Sequence, residues 1–290
     1  MNETLYLVDG RTALRTERRL AHPPSKVWRA VTDPQHLHGW FPFDVEVDLR
    51  VGGDIRFVPK EAGQGPTTSG VVTALDPPRV FAFTWGDGND LRFELSPDGE
   101  HGCVLVFTHT FADHYGAASF TAGWETCLDA MEAVLDDRAP EPTGDMAERH
   151  DHYVHVFGLD EGTTEDGGDE WRVRFERQMT RPADTVWSTL GASGATTVGD
   201  EVPAGFTARG VEAGAVTAVD DAKLLEYPWR EDGRDVGRVR IELGTGTGQG
   251  ARLVVTQAGP IDRSEARDRA LVAWRARLDE LATELRALPS

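Results

Sequence analysis

The sequence has little cysteine, no long apolar run, and few basic residues relative to its acids. Cys103 and Cys127 are the only cysteines among 290 residues, which excludes a disulfide framework and the paired-cysteine spacing of a zinc site. No apolar run approaches the roughly 20 residues that a membrane-spanning helix needs. Residues 1–12 also lack the basic and then apolar stretches of an export signal. We therefore expect a soluble, cytoplasmic protein with no membrane contact.

Acidic residues dominate the charge of the chain. The formal net charge is −19 at pH 7, whereas residues 171–290 taken alone are close to neutral. An acidic surface repels phosphate backbones, so no nucleic-acid partner is expected.

An internal repeat is the most informative feature that is present. Residues 15–31 read RTERRLAHPPSKVWRAV and residues 174–190 read RFERQMTRPADTVWSTL, which aligns Trp28 with Trp187. GVVTALD at 70–76 then matches GAVTAVD at 214–220, and GWETCLDAMEAVL at 123–135 matches AWRARLDELATEL at 273–285. A repeat of this length predicts two copies of one domain rather than a solenoid, whose period is about 20–50 residues.

The predicted domains are residues 1–158 and 171–290. Residues 159–170 are rich in glycine and acid, so we expect an interdomain linker there. The second copy lacks a stretch that the first carries between Trp28 and Gly70. We therefore expect a shortened second sheet and a smaller or collapsed second cavity.

Each copy predicts a strand, a short helix started by proline, antiparallel strands with tight turns, and a long helix. The first long helix is expected at Thr121–Asp136, with Trp124 and Leu128 on its apolar stripe. The second long helix carries a leucine-rich seam, and two interpretations of this seam are open. It packs on its own sheet, as in the first copy, or it joins a coiled coil in a homodimer. The seam comprises Leu271, Trp274, Leu278, Leu281, Leu285 and Leu288.

The ordered motifs of residues 12–158 resemble a known family. They are Val27–Trp28, Asp33–Pro34, Trp40–Phe41, Leu49–Gly53, Asp76–Pro78, Phe83–Trp85, Thr108–His109 and Gly123–Glu125. This combination is similar to the START/SRPBCC superfamily, in the subgroup of activators of the heat-shock-protein-ninety ATPase. The resemblance implies a helix-grip fold, in which a curved antiparallel sheet wraps a long C-terminal helix and encloses an apolar cavity. Together with the internal repeat, it predicts an α+β protein of two tandem helix-grip domains. It leaves function open, because this superfamily includes carriers, cyclases, antibiotic-resistance proteins and co-chaperone modules.

Strand alternation predicts which side chains face that cavity. The set is aromatic and aliphatic with one histidine, which suits a small apolar ligand. The alternative is a filled core made by the same residues. The candidate ligand-binding residues are Trp40, Phe41, Ile55, Phe57, Phe81, Phe83, Trp85, Leu105, Phe107, His109, Trp124 and Leu128.

His109 has three possible roles: a general base, a hydrogen-bond anchor for a ligand, or a structural histidine. No aspartate or glutamate is predicted beside it, so we expect no catalytic residue. On a helix, His152 and His155 would share one face, but His150 would point elsewhere. No third ligand is placed beside the pair, so we expect no metal. The glycine-rich segment at 244–250 lacks the lysine and the serine or threonine that end a phosphate loop, so we expect no cofactor.

Three functions remain open from the sequence. The first is non-catalytic binding of a small apolar ligand by the first domain, for transport, sequestration or self-resistance. The second is a cyclase- or hydrolase-type enzyme that uses the same pocket. The third is an interaction module that contacts a chaperone.

Overall fold

A computed structural model describes residues 2–61, 65–141, 144–192, 196–248 and 250–289. The chain forms two compact units, Met1–Met146 and Ala147–Ser290. Each contains an antiparallel sheet followed by a long helix, so the predicted α+β class is confirmed. No helix in the described ranges is long and apolar enough to cross a membrane.

Among its described residues, the first unit has eight strands and three α-helices. Its elements are β1 (Asn2–Val8), β2 (Arg11–Leu20), α1 (Pro24–Thr32), α2 (Pro34–Leu37), β3 (Phe43–Val47), β4 (Asp54–Pro59), β5 (Thr68–Asp76), β6 (Val80–Thr84), β7 (Asp90–Asp98), β8 (Gly102–Phe111) and α3 (Ala117–Leu135).

The eight strands form one antiparallel sheet in the order β1-β2-β8-β7-β6-β5-β4-β3. Strands β3 to β8 follow one another as the predicted meander, and β2 pairs with β8 along its length. Strand β1 was not predicted. It pairs with β2 through a tight turn at Asp9 and Gly10, which both have positive φ angles.

Helix α3 packs its apolar stripe against the sheet. Trp124 lies 4.6 Å from Phe107 between ring centroids, and Leu128 and Met131 are fully buried. Helix α1 begins at Pro24, where the missing amide hydrogen costs nothing. The enclosed core is therefore built by side chains from the inner face of the sheet and from one face of the long helix.

The second unit has a shorter sheet and its own long helix. Its elements are α4 (Met146–Val156), β9 (Thr163–Gly167), β10 (Glu170–Gln178), α5 (Ala183–Thr189), β11 (Glu212–Ala213), β12 (Ala218–Asp220), β13 (Leu224–Glu231), β14 (Arg234–Thr245), β15 (Ala251–Pro260) and α6 (Ser264–Arg286). The strand order is β11-β13-β14-β15-β10-β9, with β12 also paired to β13.

The structure corrects the expected linker at residues 159–170. Thr163–Gly167 forms strand β9, which pairs with β10 through a turn at Gly168. All five residues of β9 are exposed, so the strand is held by backbone hydrogen bonds and leaves no hydrophobic signal in the sequence.

The expected boundary at residue 158 is also displaced, because α4 packs on the second unit. Its Asp151 lies 3.8 Å from Arg177 and 3.2 Å from Arg286. His150 lies with Nε2 3.2 Å from the carbonyl oxygen of Gln178. Both side chains are buried, whereas His152 and His155 of the same helix are exposed.

The leucine seam of α6 packs on its own sheet. Trp274, Leu278, Leu281 and Leu285 belong to the buried core of the second unit, and Leu288 is 37% exposed. The seam is therefore occupied within the unit, as the first of the two interpretations predicted.

Candidate functional site

A cavity of about 460 Å³ lies in the first unit, beside the middle of α3. Residues of α3, of the β6–β7 hairpin and of three further positions line it. They are Ser119, Phe120, Gly123, Trp124 and Cys127 of α3; Trp85, Gly86, Asp87 and Asn89 of the hairpin; and Pro42, Thr68 and His109.

The helical wall follows from the spacing of residues on α3. Phe120, Gly123, Trp124 and Cys127 are three or four residues apart, so one helix face presents all of them. At Gly123, an added Cβ would meet no atom within 4 Å. The absence of a side chain at this position therefore widens the cavity, since the backbone around it is open.

The aromatic walls are held by neighbouring rings. Trp85 stacks on Phe57 at 4.8 Å between centroids and donates its indole N–H to Thr68 Oγ1 at 2.9 Å. Trp124 contacts Phe41 at 5.8 Å on one side and Phe107 at 4.6 Å on the other. Because these contacts orient both indoles, the aromatic wall of the cavity is held in one arrangement.

His109 forms the polar end of the cavity, and its hydrogen bonds determine its tautomer. Trp124 donates its indole N–H to Nδ1 at 3.1 Å, and an indole nitrogen can only donate. Nδ1 is therefore the acceptor, and Nε2 carries the hydrogen. Nε2 then donates to Oδ1 of Asn89 at 3.0 Å.

Burial keeps this imidazole neutral. His109 is 2% exposed, and desolvation, with a smaller contribution from the charge of Arg11, lowers its pKa to about 3. A general base at neutral pH needs a free lone pair and a pKa near 7. In this structure both ring nitrogens of His109 are engaged, and the imidazole orients Trp124 and Asn89.

Cys127 and Lys60 are the other titratable groups near this wall whose pKa is shifted. Burial raises the pKa of the Cys127 thiol to about 12, so it is protonated at neutral pH. Burial lowers the pKa of Lys60, whose Nζ donates to the carbonyl oxygens of His38 at 2.7 Å and Phe41 at 2.6 Å. These hydrogen bonds from Lys60 stabilise the turn that precedes Pro42.

Three of the twelve predicted ligand-binding residues line the cavity: Trp85, His109 and Trp124. The other nine lie in the buried core outside the lining. They are Trp40, Phe41, Ile55, Phe57, Phe81, Phe83, Leu105, Phe107 and Leu128. Strand alternation identifies the face that a side chain occupies, but large rings filled most of the space on that face. Ligand contact by these residues stays a prediction.

Sequence reasoning missed several lining residues. Phe120, Gly123 and Cys127 share a helix face with Trp124, so their spacing could have found them. Asn89 lies at the end of a hairpin loop and meets His109 only through strand pairing. No local sequence signal indicates that contact.

One group of possible metal ligands occurs in the second unit. Among the described residues, His155, Asp160 and Asp279 place ligand atoms within 4.8 Å of one another. Arg275 already donates to Asp160 Oδ2 at 2.6 and 2.9 Å. Although burial opposes it, the hydrogen bonds from Arg275 and His155 lower the pKa of Asp160. We interpret the group as an ion-pair network, because the Arg275 guanidinium already neutralises the charge of Asp160.

The fold and cavity of the first unit define a helix-grip domain with an internal apolar pocket. Residues 21–136 match the model of the family described as Activator of Hsp90 ATPase homolog 1-like protein. Most of the first unit is therefore similar to this family, the one that its motifs resembled.

Solved structures similar to this chain include the conserved protein EF2215 from Enterococcus faecalis, at 26% identity over 53% of this chain and 89% of that one, with a TM-score of 0.47. CalU16 from Micromonospora echinospora is 22% identical over 54% and 95% of the two chains, with a TM-score of 0.44. DynU16, described as a putative protein in the dynemicin biosynthetic locus, is 17% identical over 95% and 97%, with a TM-score of 0.42. No curated protein matched this chain.

Proposed function

We propose that the first unit binds one small, neutral, largely apolar or aromatic molecule in the cavity and does not transform it. The observation that supports this most is the cavity of about 460 Å³ beside Trp85, Phe120 and Trp124. This volume lies within the range of about 300–1,000 Å³ that is usual for small-molecule pockets.

The charge of the lining favours a neutral ligand. His109 is uncharged because its pKa is depressed, and the Cys127 thiol is protonated because its pKa is raised. Asp87 is the one acid among the lining residues, and it is exposed. An anion would find no cation in this lining, and the chain as a whole carries a charge of −19.

The polar groups favour orientation of the ligand over catalysis. Both nitrogens of His109 are engaged by Trp124 and Asn89, so neither is free to take a proton from a substrate. The side-chain amide of Asn89 also donates weakly to the carbonyl oxygen of Asp87 at 3.3 Å. Asn89 is thus oriented at the polar end, where it selects a ligand with one polar group.

The test is a titration of the whole chain with Nile red, a neutral dye whose fluorescence rises in apolar surroundings. We expect saturable binding at one site. Gly123→Leu places a side chain in the open space beside Gly123 and should weaken binding by tenfold or more, that is about 1.4 kcal/mol.

Ala273→Leu is the matched control, because Ala273 is the counterpart of Gly123 in the sequence repeat. It should leave Nile red binding unchanged. Equal binding by the wild type and Gly123→Leu would exclude this cavity as the site. Native mass spectrometry of the protein from its own source would then identify the class of any ligand that copurifies.

A further inference from the structure

We propose that the second unit contains a separate pocket for a small organic carboxylate. The pocket has a volume of about 150 Å³ and lies between α6, β13, β15 and the loop before β11. It does not depend on the function proposed for the first unit.

Arginine dominates the charge of this pocket. Arg209, Arg230 and Arg269 line it, against Glu231 as the one acid of the lining. This is a local excess of positive charge in a chain whose net charge is −19. Arginine guanidinium groups match the planar geometry of a carboxylate through paired N–H donors.

Two of these arginines are held in place, and the third is available. Arg230 donates to Asp235 Oδ1 at 2.7 Å, and Arg269 lies 3.5 Å from Glu231. Arg209 is exposed and forms no ion pair or hydrogen bond with any residue that the structure describes. Its guanidinium can therefore bind an incoming anion without breaking an existing contact.

Gln257 supplies a buried donor at the inner end. It is 2% exposed and lines the pocket, and its Oε1 accepts the indole N–H of Trp274 at 2.7 Å. That bond orients the side chain and engages only its oxygen. The Nε2 group, which carries two N–H donors, is therefore available to a ligand. Within the described part of the chain no acceptor bonds to this group. Nε2 is not a fully enclosed atom, so it reaches the pocket and can donate to a bound carboxylate.

Small residues on α6 leave room for a short apolar body. Ala266, Ala270 and Ala273 lie four and three residues apart on one face of the helix, and Trp229 belongs to the same lining. At the position of Ala270 the first unit has Phe120 in the sequence repeat. The combination of an alanine floor, one indole and three arginines therefore fits an acid with a single small ring.

The experiment is calorimetric titration of the whole chain with benzoate at low ionic strength. We expect saturable binding that added salt weakens, because ions screen the exposed arginines. Benzamide has nearly the same shape without the charge and should bind about tenfold more weakly or not at all. Inorganic phosphate lacks the ring and should also bind more weakly than benzoate.

Variants locate the site. Arg209→Gln removes one charged donor without breaking an ion pair and should weaken benzoate binding about five- to tenfold. Gln257→Glu still accepts from Trp274 but repels an anion, and it should abolish binding. The matched control is Arg238→Gln, a change of equal charge at an exposed position of β14 outside the pocket, which should have no effect.

Three results would overturn the proposal: equal affinity for benzoate and benzamide, stronger binding of phosphate than of benzoate, or equal weakening by Arg209→Gln and Arg238→Gln. Absence of benzoate binding by the wild type would also reject it. Arg209 is exposed, so its variant tests the pocket even if Gln257→Glu does not fold. Both lining changes and the control lie in the second unit, so failure here leaves the Nile red prediction for the first unit untouched.

Discussion

The indole N–H of Trp124 donates to Nδ1 of His109 at 3.1 Å, inside the core of the first unit. In the second unit, the indole of Trp274 donates to Oε1 of Gln257 at 2.7 Å. These two pairs occupy matching positions in the sequence repeat, so the same helix-to-sheet bond is made with two different acceptors. A shared origin of the two units stays a prediction, and this repeated contact supports it.

A second contact is repeated in the same way. Arg18 is buried and lies 2.7 Å from Asp129 and 2.9 Å from Glu132 on α3. Arg177, its counterpart, lies 2.5 Å from Asp279 on α6. Each unit therefore joins its proline-preceding strand to its long helix through one buried arginine.

Gln257 takes the place of His109 in the second unit, so we expect the first unit to tolerate glutamine at position 109. His109→Gln retains an acceptor for Trp124 and should cost about 1 kcal/mol or less of unfolding free energy. His109→Leu leaves the Trp124 indole N–H and the Oδ1 atom of Asn89 without their hydrogen-bond partner and should cost about 2–4 kcal/mol. Urea denaturation of both variants measures the difference. Equal losses would show that the hydrogen bond contributes nothing.

The stability of the first unit should fall as the pH is lowered below about 6.5. The pKa of His109 is about 3 in the folded state, against an ordinary value of 6.5. Between these values the unfolded chain binds a proton that the folded chain refuses, so stability decreases by about 1.4 kcal/mol per pH unit for this group.

Urea denaturation at pH 7, 5.5 and 4.5 isolates this contribution by comparing the wild type with His109→Gln. Other groups titrate equally in both proteins, so the difference between their free energies of unfolding should shrink and then reverse as the pH falls. An unchanged difference over this range would contradict the depressed pKa.

The two tryptophans of the short helices should differ in their contribution to stability. Trp187 is 3% exposed and packs on Phe206 at 4.9 Å between ring centroids. Trp28 is only half-buried, and its nearest ring, Phe81, is 6.5 Å away. Trp187→Ala should therefore cost about 3–5 kcal/mol, and Trp28→Ala distinctly less. Thermal unfolding of the two variants tests the order, and an equal loss would contradict it.

Cys127 should report occupancy of the first cavity. Burial raises the pKa of its thiol to about 12, so its reaction with a disulfide reagent at pH 8 should be slow. In a Cys103→Ala background, Nile red should slow this reaction further because the dye covers the wall to which Cys127 belongs. Protein unfolded in urea provides the fast reference rate. No protection by saturating dye would place the dye elsewhere.

Local patterns were sufficient for much of the fold. The stripe of Trp124 and Leu128 predicted the long helix, which the structure starts four positions earlier, at Ala117. The alternation of Phe81 and Phe83 predicted β6 correctly because strand periodicity is read directly from neighbours in sequence. β1 was missed, and β9 was taken for a linker. These two strands are edge strands with largely exposed side chains, and they are specified mainly by backbone pairing.

The sequence by itself determined the two-part organisation, the antiparallel meander and the long helices, because a repeat or a periodicity of neighbouring residues predicts each of them. Tertiary structure alone decided where space was left empty, since this depends on how rings from separate strands fill the volume beneath α3. It also decided the chemistry of His109, whose two partners are 15 and 20 residues away in sequence and whose depressed pKa arises from burial. Cavities and proton affinities are sums over many distant contacts, and no single stretch of sequence contains them.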